Sequence, residues 1–254
     1  MDAVVSALGD QHGELERLIA PLDPQHWARP SPDCPGWTVA DVVLHLAQVD
    51  EWVMAGPVEG HVEAAARMAG GPAGPGDTTD DTAGRMVAHQ RGAPPDQVLA
   101  RWRDSSAALR AFFVAHGPRD PLPWILSDLP ARTLATTRIV ECWIHTRDVA
   151  NALGTTTRDG EQLWHVARLA WRTLPYAFTR AGRPAISPEA VRLVLTPPDG
   201  EQWTFGPDDA PTVVTGPALD FCLVAARRVE PSTTRLLATG PDADAVLALV
   251  RTWA

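Results

Sequence analysis

Residues 134–154 read LATTRIVECWIHTRDVANALG. At roughly 100° per residue, Leu134, Arg138, Glu141, His145 and Asp148 fall on one face of a helix. Most of the remaining circumference is apolar: Ile139, Val140, Cys142, Trp143, Ile144 and Val149. A surface helix has the reverse proportions, with a narrower apolar stripe and a broad polar side. The segment is therefore expected to be a largely buried helix from Ala131 to about Leu153, ended by Gly154. Its polar stripe must face something polar that is also inside.

Ionised groups in such a place need a partner. A divalent cation suits Glu and His together. Glu141 and His145 are four residues apart and reach the same point above one face, like the ligand pairs on helices of zinc proteases. The other reading is a solvated ladder of Arg138, Glu141 and His145, worth little energetically. A third ligand would come from another element, and His45 is the best candidate. It lies in VADVVLHLAQVD (39–50), between Leu44 and Leu46, and should face the interior with Val42 and Val49. A histidine at such a position is otherwise a hydrogen-bonded core or boundary residue. Two imidazoles and one carboxylate leave positions on an ion open for water or substrate, which catalysis requires.

Working outward, residues 2–20 have helical spacing, and Pro21 and Pro24 end them. A Pro-rich linker runs through SPDCPGW. Thr38 is a good N-cap for the next helix, with Asp41 three residues on, and Gly56-Pro57 should stop it. A short helix is expected within 58–69, then a loop, GGPAGPGDTTDD, then a helix over 80–90. Pro94-Pro95 opens a longer helix to about His116, and PRDPLPWILSDLP reads as a loop. One further helix is expected from Glu161 to Arg180. After that the pattern changes: Ala190–Thr196, Gln202–Phe205, Thr212–Thr215 and Arg235–Thr239 read as strands. Helices are expected over Ala218–Arg228 and Asp242–Trp253. The chain is thus mainly α, with domains expected at 1–155 and 156–254, the second α/β.

The net charge of -9 argues against a nucleic-acid partner, which needs a cationic face. No run of about 18 apolar residues offers a membrane span. The acidic start has no signal-peptide pattern. Every basic residue is Arg, which excludes a catalytic lysine. Cys34, Cys142 and Cys222 are far apart and form no CxxC pair, so a reducing, cytoplasmic setting is the simple reading. Cys34, in a tight Pro-Gly turn, could be a nucleophile, but no activating base is visible. Trp37 is expected to pack at the bundle end. Asp148 is either an outer partner of a ligand or of Arg147, or a surface acid. The other six histidines read as surface or boundary residues.

CPGWTVADVVLHLAQVD (34–50) and RIVECWIHTRDVANALG (138–154) together resemble the two motifs of the DinB-like metalloproteins, particularly the mycothiol-dependent maleylpyruvate isomerase group. The resemblance implies an N-terminal four-helix bundle holding Zn²⁺ or another divalent ion, with a smaller α/β C-terminal domain. Carried over by motif, His45, Glu141 and His145 become the ligands. That group often ends a C-terminal helix in Gly-Arg, an arginine linked to thiol or substrate binding. Here the stretch ends Ala-Arg-Arg, which makes Arg227 the corresponding candidate without its glycine.

The expected activity is that of a metal-dependent enzyme on a small electrophilic metabolite, of maleylpyruvate isomerase or thiol S-transferase type, with mycothiol as possible cosubstrate. Arg138 or Arg227 would orient a substrate carboxylate, although Arg138 could instead pair with Glu141. One alternative is a thiol-independent cyclase, hydrolase or lyase, favoured by the missing glycine. Another is a non-catalytic binding protein with a structural ion, disfavoured by three ligands where four are usual. Either a monomer or a homodimer is compatible with the sequence.

Overall fold

The computed structural model describes residues 1–125 and 127–252. Its first unit spans Met1–Thr157, and the second begins at Arg158. In chain order the first holds α1 (Asp2–Ile19), α2 (Pro24–Trp27), α3 (Val39–Glu59), α4 (His61–Met68), α5 (Thr79–Gln90), α6 (Pro95–Val114) and α7 (Ala131–Leu153). A two-residue hairpin, β1 (Pro121–Leu122) with β2 (Leu129–Pro130), stands in the segment expected to be pure loop.

Four long helices form the bundle. α3 packs on α6, α6 on α1, α1 on α7 and α7 on α3, closing a ring. α7 keeps the bounds its sequence suggests because Gly154 takes the left-handed position that ends it (φ 69°). Thr38 caps α3 with a full capping box, its hydroxyl accepting from the Asp41 N–H while Asp41 accepts from the Thr38 N–H. Gly56-Pro57 does not stop α3. Proline removes one backbone bond close to the helix end, and the chain turns only at Gly60 (φ 87°).

The bundle core consists of two apolar clusters. One gathers Leu8, Val53, Leu109, Phe113 and Leu134; the other gathers Leu15, Val42, Trp102, Cys142 and Val149. Buried polar residues fall between them: Gln11 and His12 on α1, Gln48 and Asp50 on α3, and Ser105 and Ser106 on α6, while Arg138 on α7 lines one small internal gap with His12 and Asp50. His12, expected near the surface, is one of these. The bundle thus carries a polar layer across its middle, an arrangement that no single helix reveals.

The second unit holds α8 (Gln162–Arg172), α9 (Leu174–Arg180), β3 (Val191–Thr196), β4 (Trp203–Phe205), β5 (Thr212–Pro217), α10 (Ala218–Ala225), β6 (Leu237–Thr239) and α11 (Ala243–Leu249). Its sheet order is β4-β3-β5-β6, with β3 and β5 parallel and the outer pairs antiparallel. Alternation along β3 buries Val191, Leu193 and Leu195, and α8 and α10 pack together beside the sheet. The single helix expected over 161–180 is broken at Thr173, because Pro175 cannot supply an N–H to a continuing helix. The closing helix stops at Leu249, and Trp253, included in the expected span, lies outside the described residues. The molecule is mainly α with a smaller α/β unit. Among the described residues no helix is long and apolar enough to cross a membrane.

Candidate metal centre

α3 and α7 lie side by side in the bundle, and that packing brings His45 to Glu141 across 96 residues of sequence. The His45 Nε2 is 3.1 Å from Glu141 Oε1, and the His145 Nε2 is 3.6 Å from the same oxygen. The two imidazoles meet edge to face, their centroids 4.9 Å apart. Each of the three side chains offers one ligand atom within 4.8 Å of the others. His45 and His145 are 6% and 12% exposed, while Glu141 is the most open at 20%. The polar stripe of α7 is therefore an interior feature, and no solvated ladder exists.

The partners set the chemistry of each group. Burial alone would raise the Glu141 carboxyl, but hydrogen bonds with His145 and His45 and the charge of Arg138 outweigh it and hold Glu141 well below the usual carboxylate range. Burial lowers His45, against the opposing pull of Glu141. Burial also opposes charge on His145, yet its bonds with Asp148, Cys34 and Glu141 win and raise it well above the ordinary imidazole value. His145 Nδ1–H donates to Asp148 Oδ2 at 2.9 Å. When His145 gives up its Nε2 proton to bind an ion, that bond keeps the remaining proton on Nδ1 and leaves Nε2 facing Glu141, the arrangement expected of a ligating histidine with an outer carboxylate. His45 has its Nε2 at Glu141, while its buried Nδ1 has no hydrogen-bond partner among the described residues. Two imidazole nitrogens and an ionised carboxylate, converging from two rigid helices, are a donor set that fits Zn²⁺ or a similar divalent ion.

Arg138 makes no ion pair with Glu141 within 4.0 Å among the described residues. Its guanidinium lies over the Trp124 ring at 5.0 Å, Nε donates to Thr137 Oγ1 at 3.3 Å, and Nη1 is buried without a partner. It acts on Glu141 through its charge. The alternative reading of Arg138, a direct pair with Glu141, is not what the structure shows; the guanidinium stacks on Trp124. Arg227 belongs to the second unit, where Nη1 donates to the Ala248 carbonyl at 3.0 Å. It is the one non-glycine residue with positive φ among those described (59°), just past α10. Glycine is the residue that most often takes such a left-handed position after a helix.

Sequence reading gave Cys34 no neighbour, and the structure gives it two. Its S–H donates to Asp148 Oδ2 at 3.3 Å, and Sγ is 3.9 Å from His145 Nδ1. A separation of 111 to 114 residues hides these contacts from any local pattern. Trp37, from the same turn, lies against His45 at 5.0 Å between centroids.

A four-helix bundle with two histidines and a glutamate meeting between α3 and α7 is a fold of the DinB-like class. The chain belongs to the mycothiol maleylpyruvate isomerase N-terminal domain family, whose family model matches residues 8–150. Two uncharacterized proteins of Mycobacterium tuberculosis, from strains CDC 1551 / Oshkosh and H37Rv, are each 33% identical to it over 98% of this chain and 95% of their own. Among solved structures it is similar to mycothiol-dependent maleylpyruvate isomerase, with a TM-score of 0.61 at 16% identity and 95% of each chain covered. A histidine-to-alanine mutant of that enzyme gives 0.60 over the same coverage. At this identity the likeness is one of fold.

Proposed function

We propose that this chain is a metal-dependent enzyme acting on a small electrophilic metabolite, with mycothiol or a related low-molecular-weight thiol as cosubstrate, of maleylpyruvate isomerase or S-transferase type. The observation that carries this reading is the convergence of His45, Glu141 and His145 from two helices within 4.8 Å. Family membership supports the choice of thiol. A divalent ion held there, Zn²⁺ by donor type, would supply a Lewis acid able to lower the pKa of a thiol.

The residues of the chain do the rest. His45 and His145 present Nε2, and Asp148 keeps the His145 proton on Nδ1. Glu141 stays ionised and contributes the negative charge. It is the most exposed of the three. Arg138, buried one turn earlier on α7, offsets the charge of Glu141 in the interior. Arg227 remains the candidate of the second unit for orienting a carboxylate, with Arg228 beside it.

The test is elemental analysis of the purified chain and of its His45→Ala and Glu141→Ala variants, joined to an assay of maleylpyruvate with and without mycothiol. The wild type should carry a stoichiometric divalent ion. The variants should lose more than the roughly 10–100-fold in affinity that removal of an outer partner costs. Conversion of maleylpyruvate, or loss of free thiol to it, should require mycothiol. Unchanged metal content in both variants would refute the ligand set; metal-loaded protein that uses no thiol with maleylpyruvate would refute the reaction class.

A further inference from the structure

The turn before α3 touches both histidines of the centre. It is tightly built: Ser31 N–H donates to the Trp37 carbonyl at 2.9 Å, Cys34 N–H to Ser31 at 3.2 Å and Trp37 N–H to Cys34 at 3.0 Å. Pro30 and Thr38 form a bridge across its base. Gly36 sits at φ 84°, where a side chain would be strained. The turn is pinned to α7 at two points one helical turn apart. Asn151 Nδ2 donates to Asp33 Oδ2 at 2.7 Å, and Cys34 S–H donates to Asp148 Oδ2 at 3.3 Å. Asp148 is 1% exposed, and a buried carboxylate is oriented by whatever donates to it. The same Oδ2 accepts from His145 Nδ1.

We infer that Cys34 is a positioning residue for the metal centre: its thiol fixes the Asp148 carboxylate, which in turn holds His145 with Nε2 aimed at Glu141 and His45. The inference deepens the proposed function and rests on the reading of those three residues as ligands. Trp37 packs against His45 from the other end of the turn, so one short segment braces both imidazoles. Cys34 Sγ, His145 Nδ1 and Asp148 Oδ2 also lie close enough to grip an ion themselves. The hydrogen bonds already explain their approach, and His145 can turn only one nitrogen at a time towards an ion without losing both protons. That alternative is accordingly an outcome of the test.

The test uses the full chain loaded with Zn²⁺ in competition with a chromophoric chelator, comparing wild type with Cys34→Ala, Cys34→Ser and Asp148→Asn. Cys34→Ala should weaken Zn²⁺ binding about tenfold, Asp148→Asn by roughly 10–100-fold, and Cys34→Ser, which still donates, by no more than about threefold. Thermal unfolding should show the metal-free variants folded at the temperature of the titration. Co²⁺-loaded wild type should show no sulfur-to-cobalt charge-transfer band. Wild-type affinity in Cys34→Ala would overturn the inference. So would a charge-transfer band that disappears in Cys34→Ser, since Cys34 would then be a ligand. A wild-type chain that takes up no Zn²⁺ overturns the ligand reading itself, and this inference with it. Should Cys34→Ala fail to fold, Cys34→Val fills the space without donating and repeats the measurement.

Discussion

Replacing Asp50 by Asn tests the polar layer in the bundle. Asp50 is 6% exposed on α3, in the band that also holds His12 and Arg138. Burial raises its carboxyl from 3.8 to about 8, against the pull of the Arg138 charge. Between those two values the folded chain binds more protons at this site than the unfolded chain does. Stability from this group is therefore fully present below 3.8, declines as pH rises, and is lost once pH passes about 8. A shift of this size corresponds to on the order of 5 kcal/mol across the window. Asparagine keeps the shape and removes the titration, and ionisable groups far from Asp50 cancel in the difference; Arg138, Arg110, Glu51 and Glu141 are coupled to it and respond with it. Urea unfolding of metal-free protein, followed by circular dichroism at acidic and alkaline pH, measures it. Relative to wild type, Asp50→Asn should gain several kcal/mol between about pH 4 and pH 9, by the same linkage. A wild-type-minus-variant difference that stays constant over that range would refute the reasoning.

Three other expectations follow from single contacts. His12 is lowered to about 3 by burial and by the Arg110 charge. Its imidazole resonances should not titrate near neutrality, and its stabilisation should be lost as pH falls below 6.5, because the unfolded chain then binds the extra proton. Thr38→Ala removes the side-chain half of the capping box and should cost about 1 kcal/mol in urea unfolding. Arg227→Gly relieves a left-handed arginine at φ 59° and should stabilise the chain by about 0.5–1 kcal/mol, the lost bond to Ala248 offsetting part of the gain; a lower unfolding midpoint would show that this bond matters more than the backbone.

Much of the fold is legible residue by residue. The apolar circumference of 139–149 with Gly154 behind it marks α7, and Thr38 with Asp41 marks the start of α3. These signals are local, since a cap or a left-handed stop depends on neighbours within four residues. The misreadings are also local in origin. Gly56-Pro57 reads as a stop, yet a proline so near a helix end removes too little to break it. Over 161–180 the helical spacing continues through Pro175, whose missing N–H divides it. His12 reads as a surface or boundary residue and Asp50 carries no signal of its own, because nothing along α1 or α3 says that the bundle places both at the same depth.

What the sequence by itself determined is the four long helices of the bundle, the mixed α/β character of the C-terminal unit, and the pairing of Glu141 with His145, which one helical turn enforces. Only tertiary packing decided that His45 reaches that pair, that Cys34 and Trp37 flank the two imidazoles, and that Arg138 stacks on Trp124 instead of pairing with Glu141. The physical reason is range. Backbone hydrogen bonding correlates residues three or four apart, whereas contacts across 96 or 114 positions exist only once helices have chosen their neighbours by burying apolar faces.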